Sequence, residues 1–172
     1  MSKASLGEYI GMEFVLSRPF EQYDQTEIAE MVLGKVIDGS TFEIGTEEII
    51  AEVDNKIDAF CVQIHNSGIT FEQYLKDSGK TEEELRAQLY TIAEATMRKA
   101  LVMQQIANEQ NITVDNEQLR ARVRSMAEGM GADFLEFTTF LQQSGQFMAV
   151  HQELLWDNIT DFMVKKSNFI VK

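Results

Sequence analysis
The chain has 172 residues, 44% of them apolar, and its 15 Lys and Arg against 28 Asp and Glu give a net charge of −13. That length and apolar share supply one sizeable core, while the negative charge opposes contact with phosphate backbones and anionic lipid heads and argues against nucleic acid or membrane partners. The single cysteine, the polar start and the lack of any apolar run near the roughly 18 residues of a membrane span point to a reducing, cytoplasmic setting.

Residues 10–16 are expected to be extended, because Met12, Phe14 and Leu16 alternate with polar or small neighbours before Pro19 closes the segment. A helix is predicted near Gln25–Ile37 from the apolar face of Ile28, Met31, Val32 and Val36, with Asp38-Gly39-Ser40 as its breaker. Across 46–66, Ile49, Ile50, Val53, Ile57, Phe60, Cys61 and Ile64 recur at three- and four-residue steps. Asn66-Ser67-Gly68 ends that helix, and Thr70 with Gln73 opens a short one over 71–77. Thr81 with Glu84 repeats the capping spacing ahead of the longest segment, 82–109, which would reach about 40 Å at 1.5 Å rise per residue. Asp115 with Gln118 caps a helix over 116–128, and Asp133 with Glu136 caps another over 134–143. A last helix covers about 147–166 through Val150, Leu154, Ile159, Phe162 and Met163. The fold class is all-α: an N-terminal extended segment, residues 1–20, followed by a helical domain, residues 21–172.

Catalytic ingredients are poor. Cys61 and His65 stand one helical turn apart, but Cys61 belongs to the apolar stripe and no carboxylate is placed to orient the imidazole. They read as a core cysteine beside a rim histidine. His151 is the one other histidine, so a His-rich metal site is excluded. Glu82-Glu83-Glu84 sits in a first turn, where carboxylates favour the helix dipole. Gly129-Met130-Gly131 lacks the lysine, the further glycine and the preceding strand of a phosphate loop. Arg120, Arg122 and Arg124 read as a solvated helix face. No cofactor is implied, and the chain does not read as an enzyme.

Soft apolar material is abundant instead, with nine Met and eleven Phe. Methionine is flexible and polarizable, so a Met-rich surface repacks around varied partners. Met97, Met103, Met126, Met130, Phe134, Phe137, Phe140 and Met148 are the candidate partner-binding residues, with ordinary core as the competing role for each. The stretch from 126 to 148 holds more such residues than two short helices should bury.

The order of these segments carries a resemblance. Ile64-His65-Asn66-Ser67-Gly68-Ile69-Thr70-Phe71-Glu72-Gln73-Tyr74-Leu75, then Lys80-Thr81-Glu82-Glu83-Glu84-Leu85-Arg86, Arg98-Lys99-Ala100-Leu101-Val102, Ile106-Ala107-Asn108-Glu109 and Asp161-Phe162-Met163-Val164 are collinear with the trigger factor chaperones. From about Phe42 to Val164 the chain resembles the C-terminal domain of that family. The resemblance implies an elongated multi-helix domain with helical arms. It further implies an ATP-independent holdase that takes unfolded or nascent polypeptides in an apolar cradle and serves protein folding and transport. Leu6–Glu13 is similar to the stretch leading into the family's FKBP-like prolyl isomerase domain, yet about thirty other residues follow it here. Neither that domain nor the Gly-Phe-Arg-x-Gly ribosome-docking signature is recognised, so isomerase activity and ribosome binding are not expected. Two rivals are a helical interaction module that forms a homodimer through the same apolar surface, and a remnant of a prolyl isomerase.

Overall fold
Alternation at Met12, Phe14 and Leu16 and helical periodicity elsewhere translate into seven α-helices and four short strands in the computed structural model, which describes residues 2–172. The helices dominate and the class is all-α. The chain forms two compact units. One holds the residues up to Ser5 together with Ser40–Val102, and the other holds Leu6–Gly39 and Met103–Lys172.

In the first unit, β1 (Lys3–Ser5) pairs antiparallel with β3 (Thr41–Glu43), Ala4 opposite Phe42. Helix α2 (Thr46–Asn66) follows, with Ile49, Val53 and Ile57 buried at steps of four. These three and Ala93 form the core, against which Ile44, Cys61, Phe71, Leu89, Tyr90 and Met97 pack. Helix α3 (Phe71–Ser78) begins at Thr70, whose hydroxyl oxygen accepts the Gln73 N–H at 3.2 Å. It ends at Gly79, where φ of 67° is open to glycine without the steric cost that a Cβ brings. Helix α4 (Glu82–Gln110) opens on a reciprocal box: Thr81 Oγ1 accepts the Glu84 N–H at 3.1 Å, and the Glu84 carboxylate accepts the Thr81 N–H at 2.9 Å. The Thr81 N–H first, and then the Thr81 hydroxyl, which donates to the same carboxylate at 3.2 Å, hold the Glu84 carboxyl below its ordinary pKa. Residues 82–102 of α4 belong to this first unit.

In the second unit, β2 (Glu13–Leu16) pairs in parallel with β4 (Asn168–Val171), placing Phe14 opposite Phe169 with their rings stacked at 5.3 Å. The alternation has the expected result, since Met12, Phe14 and Leu16 are buried while Val15 faces out. The partner strand β4 and the β1–β3 ladder are additions to what the sequence pattern predicts. Helix α1 (Gln25–Gly39) starts with a capping box, Asp24 accepting the Glu27 N–H at 2.8 Å and Glu27 accepting the Asp24 N–H at 3.0 Å. It buries Ile28, Val32, Leu33 and Val36. The end of α4 is tied to the N-terminal segment: the Tyr9 hydroxyl donates to Glu109 at 2.6 Å, and the Gln110 amide donates to that hydroxyl at 2.8 Å. Burial, then the Glu109 carboxylate, pushes the Tyr9 pKa up. Asn111 follows α4 at φ 52°, a left-handed conformation that asparagine tolerates better than most residues. Helices α5 (Asn116–Gly129), α6 (Phe134–Gln143) and α7 (Phe147–Lys165) complete the unit.

Candidate functional site
The caps that start α5 and α6 fix which faces these helices present. Asp115 accepts the Gln118 N–H at 2.7 Å and receives the Gln118 side chain on its own N–H at 3.2 Å. Asp133 accepts from Leu135 and Glu136 at 2.8 and 3.1 Å. From those starts, Leu119, Val123 and Ala127 of α5 meet Phe137 and Leu141 of α6 and Val150 and Leu154 of α7 in one core. Spacings of three and four keep each set on one helix face. Beside this core lies a groove of about 410 Å³, walled by Leu119, Arg120 and Val123 of α5, Phe134 and Thr138 of α6, and Phe147 of α7. Its volume falls within the roughly 300–1,000 Å³ typical of binding pockets.

The eight candidate residues separate sharply. Met130 is 73% exposed, Met148 70% and Phe140 54%. Met126 and Phe134 are half-buried against the α5–α6–α7 core, and Phe134 also walls the groove. Met97 is half-buried in the other unit, against the Ile49–Ala93 cluster. Met103 and Phe137 are corrections: both are buried core, at 1% and 7% exposure, because each lies on the inward face of its helix. Leu135, at 70% exposure, was not among the candidates. It follows Phe134 by one residue, about 100° around the helix, so it turns outward while its neighbour packs.

The three arginines of α5 do not share one environment. Arg122 forms an ion pair with Asp157 of α7. Arg124 reaches over the Phe134 ring, 5.3 Å from its centre. Arg120 is exposed at the groove wall, and among the described residues neither Arg120 nor Arg124 has a carboxylate within ion-pair distance. Cys61 is half-buried at the edge of the first unit's core, and His65 is exposed. Among the described residues there is no cluster of His, Cys, Asp and Glu able to hold a metal, and no helix is long and apolar enough to cross a membrane.

The fold and the site define a helical domain that exposes methionine, leucine and phenylalanine and carries an apolar groove. Comparison with known proteins agrees on the class. Residues 15–165 match the family described as bacterial trigger factor protein (TF) C-terminus. The chain is 30% identical over 138 residues to a trigger factor from Thermobifida fusca, covering 80% of this chain and 30% of that protein. It is 36% identical over 104 residues to one from Agathobacter rectalis, covering 59% of this chain and 24% of that protein. A solved structure of trigger factor domains from Thermotoga maritima shares the fold, with a TM-score of 0.69 at 17% identity over 95% of this chain and 93% of that one. The chain belongs to the trigger factor C-terminal family of chaperones. It spans about a third of the length of the curated relatives it matches.

Proposed function
We propose that this chain is an ATP-independent holdase that binds apolar segments of unfolded or nascent polypeptides. The observation that carries the reading is the exposure of Met130, Leu135, Phe140 and Met148 around the α5–α6–α7 core. Burial of the part of these four side chains still exposed, equivalent to fewer than three whole ones, would yield about 4–8 kcal/mol. The lost freedom of two associating chains costs about 4–15 kcal/mol. Those terms nearly cancel, so binding is weak and quickly reversible, which suits a chaperone that must release its client. The net charge of −13 keeps the loaded complex apart from its neighbours.

The test is light scattering from several unrelated denatured proteins, without ATP. Near-stoichiometric chain should slow their aggregation, and the combined Met130→Ser and Met148→Ser variant should slow it less while melting at nearly the parent temperature. No acceleration of prolyl isomerisation in a proline peptide is expected. Failure to protect any of the substrates would remove the holdase reading. Protection that falls as the chain is concentrated would favour an interaction module that dimerises through the same residues.

A further inference from the structure
The groove between α5 and the α6–α7 pair has walls of two kinds, and their combination narrows what it can accept. Leu119, Val123, Phe134 and Phe147 make it apolar. The one charged side chain on its wall is Arg120, and one turn further along α5 the Arg124 guanidinium lies over the Phe134 ring. In a chain with 28 carboxylates, none belongs to a residue lining this groove. Glu117 and Glu136 sit in the first turns of α5 and α6, where they face helix N-termini. Arg122 is already neutralised by Asp157. Among the described residues, Arg120 and Arg124 close no ion pair with a carboxylate, Glu117 and Glu128 standing one turn away along α5, so the remaining positive charge is local to the groove. Repulsion from the acidic body is cut off within a screening length of about 8 Å at physiological salt.

We infer that this groove selects polypeptide segments in which an aromatic or large aliphatic side chain neighbours an Asp or Glu. The apolar side chain enters between Val123, Phe134 and Phe147, and the carboxylate pairs with Arg120, with Arg124 adding to the field. This rests on the holdase reading and sharpens it, since it assigns one groove a charge preference that general apolar capture lacks.

The experiment is fluorescence anisotropy with two labelled, end-capped twelve-residue peptides on a Gly/Ser background. One carries Asp-Leu-Phe-Glu at its centre and the other Lys-Leu-Phe-Lys. The acidic peptide should bind the full chain more tightly, and added salt should narrow the gap. Arg120 is exposed, so Arg120→Glu should fold normally. Because exposed ion pairs are worth about 0.2–1 kcal/mol, it should weaken the acidic peptide by up to about five-fold and strengthen the basic one. Thr138→Trp, which fills the groove, should weaken both peptides, with circular dichroism confirming the fold. Equal binding of the two peptides, or preference for the basic one, would overturn the inference while leaving aggregation suppression intact. Loss of a dimer in Thr138→Trp, seen by sedimentation, would assign the groove to a second copy and also overturn it. If neither peptide binds the inference fails, and the light-scattering result decides separately whether the holdase reading fails with it.

Discussion

Phe137 and Phe140 provide a paired test, because they sit one turn apart on α6 with rings stacked at 6.3 Å but different surroundings. Phe137 is 7% exposed and packs among Leu119, Val123 and Leu154, so Phe137→Ala removes a buried ring and leaves a cavity. Such truncations cost about 3–5 kcal/mol. Phe140 keeps 54% of its surface in water. About half of the 1.5–3 kcal/mol burial value applies to Phe140→Ser. Adding part of the 0.5–1.5 kcal/mol of the ring pair gives about 1–2 kcal/mol. The two variants should then differ by about 2–3 kcal/mol, or about 4–12 °C in melting temperature for a chain of this size. Thermal melts followed by circular dichroism measure that gap, and light scattering measures client protection in parallel. Phe140→Ser should lose protection at temperatures where it is still folded. Equal destabilisation by the two changes would mean that the outer face of α6 is packed, and the assignment of Phe140 to client contact would collapse.

Two other perturbations probe the frame around that surface. A Cβ built on Gly7 would lie 2.4 Å from the Gly39 carbonyl oxygen, so Gly7→Ala forces two backbone segments apart. It should cost about 1–3 kcal/mol in urea unfolding, and a neutral result would show that the close approach is absent in solution. The Thr81–Glu84 box predicts a pH dependence with a definite sign. The Glu84 pKa is lowered on folding, by the Thr81 N–H first and its hydroxyl second. Its contribution is therefore present above the ordinary glutamate pKa of about 4.3 and fades as pH falls through the lower folded value. Urea midpoints of the parent and Glu84→Gln should differ at neutral pH and converge in acid, whereas a constant difference would mean the carboxylate's charge plays no part in the cap.

The helices were legible because their ends carry local chemistry. The predicted spans 46–66 and 134–143 coincide with α2 and α6, the first read from its apolar periodicity and closing turn, the second from Asp133 at its start and the turn at its end. Asp24 and Glu27 form the same box at α1, at the spacing that marks the other helix starts. Strand β2 was legible in the alternation of Met12, Phe14 and Leu16, but the strand pairings were not, since β1 finds its partner 38 residues away and β2 finds β4 about 155 residues away. Three or four residues carry too little periodicity to announce such pairings. The exposed surface was legible in composition but not in detail. Phe134, Phe137 and Phe140 look alike at three-residue steps, yet which of them turns inward depends on where α5 and α7 lie, and that is decided by tertiary packing.

The exposure around α6 is informative because folding does not require it. Asp133 caps the helix, and Phe137 with Leu141 anchors it to α5 and α7. Those groups suffice to hold it in place. Leu135 and most of Phe140 lie outside that anchored face, and polar residues there would keep the α5–α6–α7 core while giving water a better surface. Glu136 is the one charged residue among the ten of α6, so little on the helix itself shields these apolar groups. Met130 and Met148, just before and after it, continue the pattern. An apolar surface that contributes little to the core and raises the risk of self-association has a physical rationale when it serves a transient partner. The acidic charge spread over the rest of the chain then acts as the counterweight, keeping two such surfaces from meeting while an uncharged stretch of client can still approach.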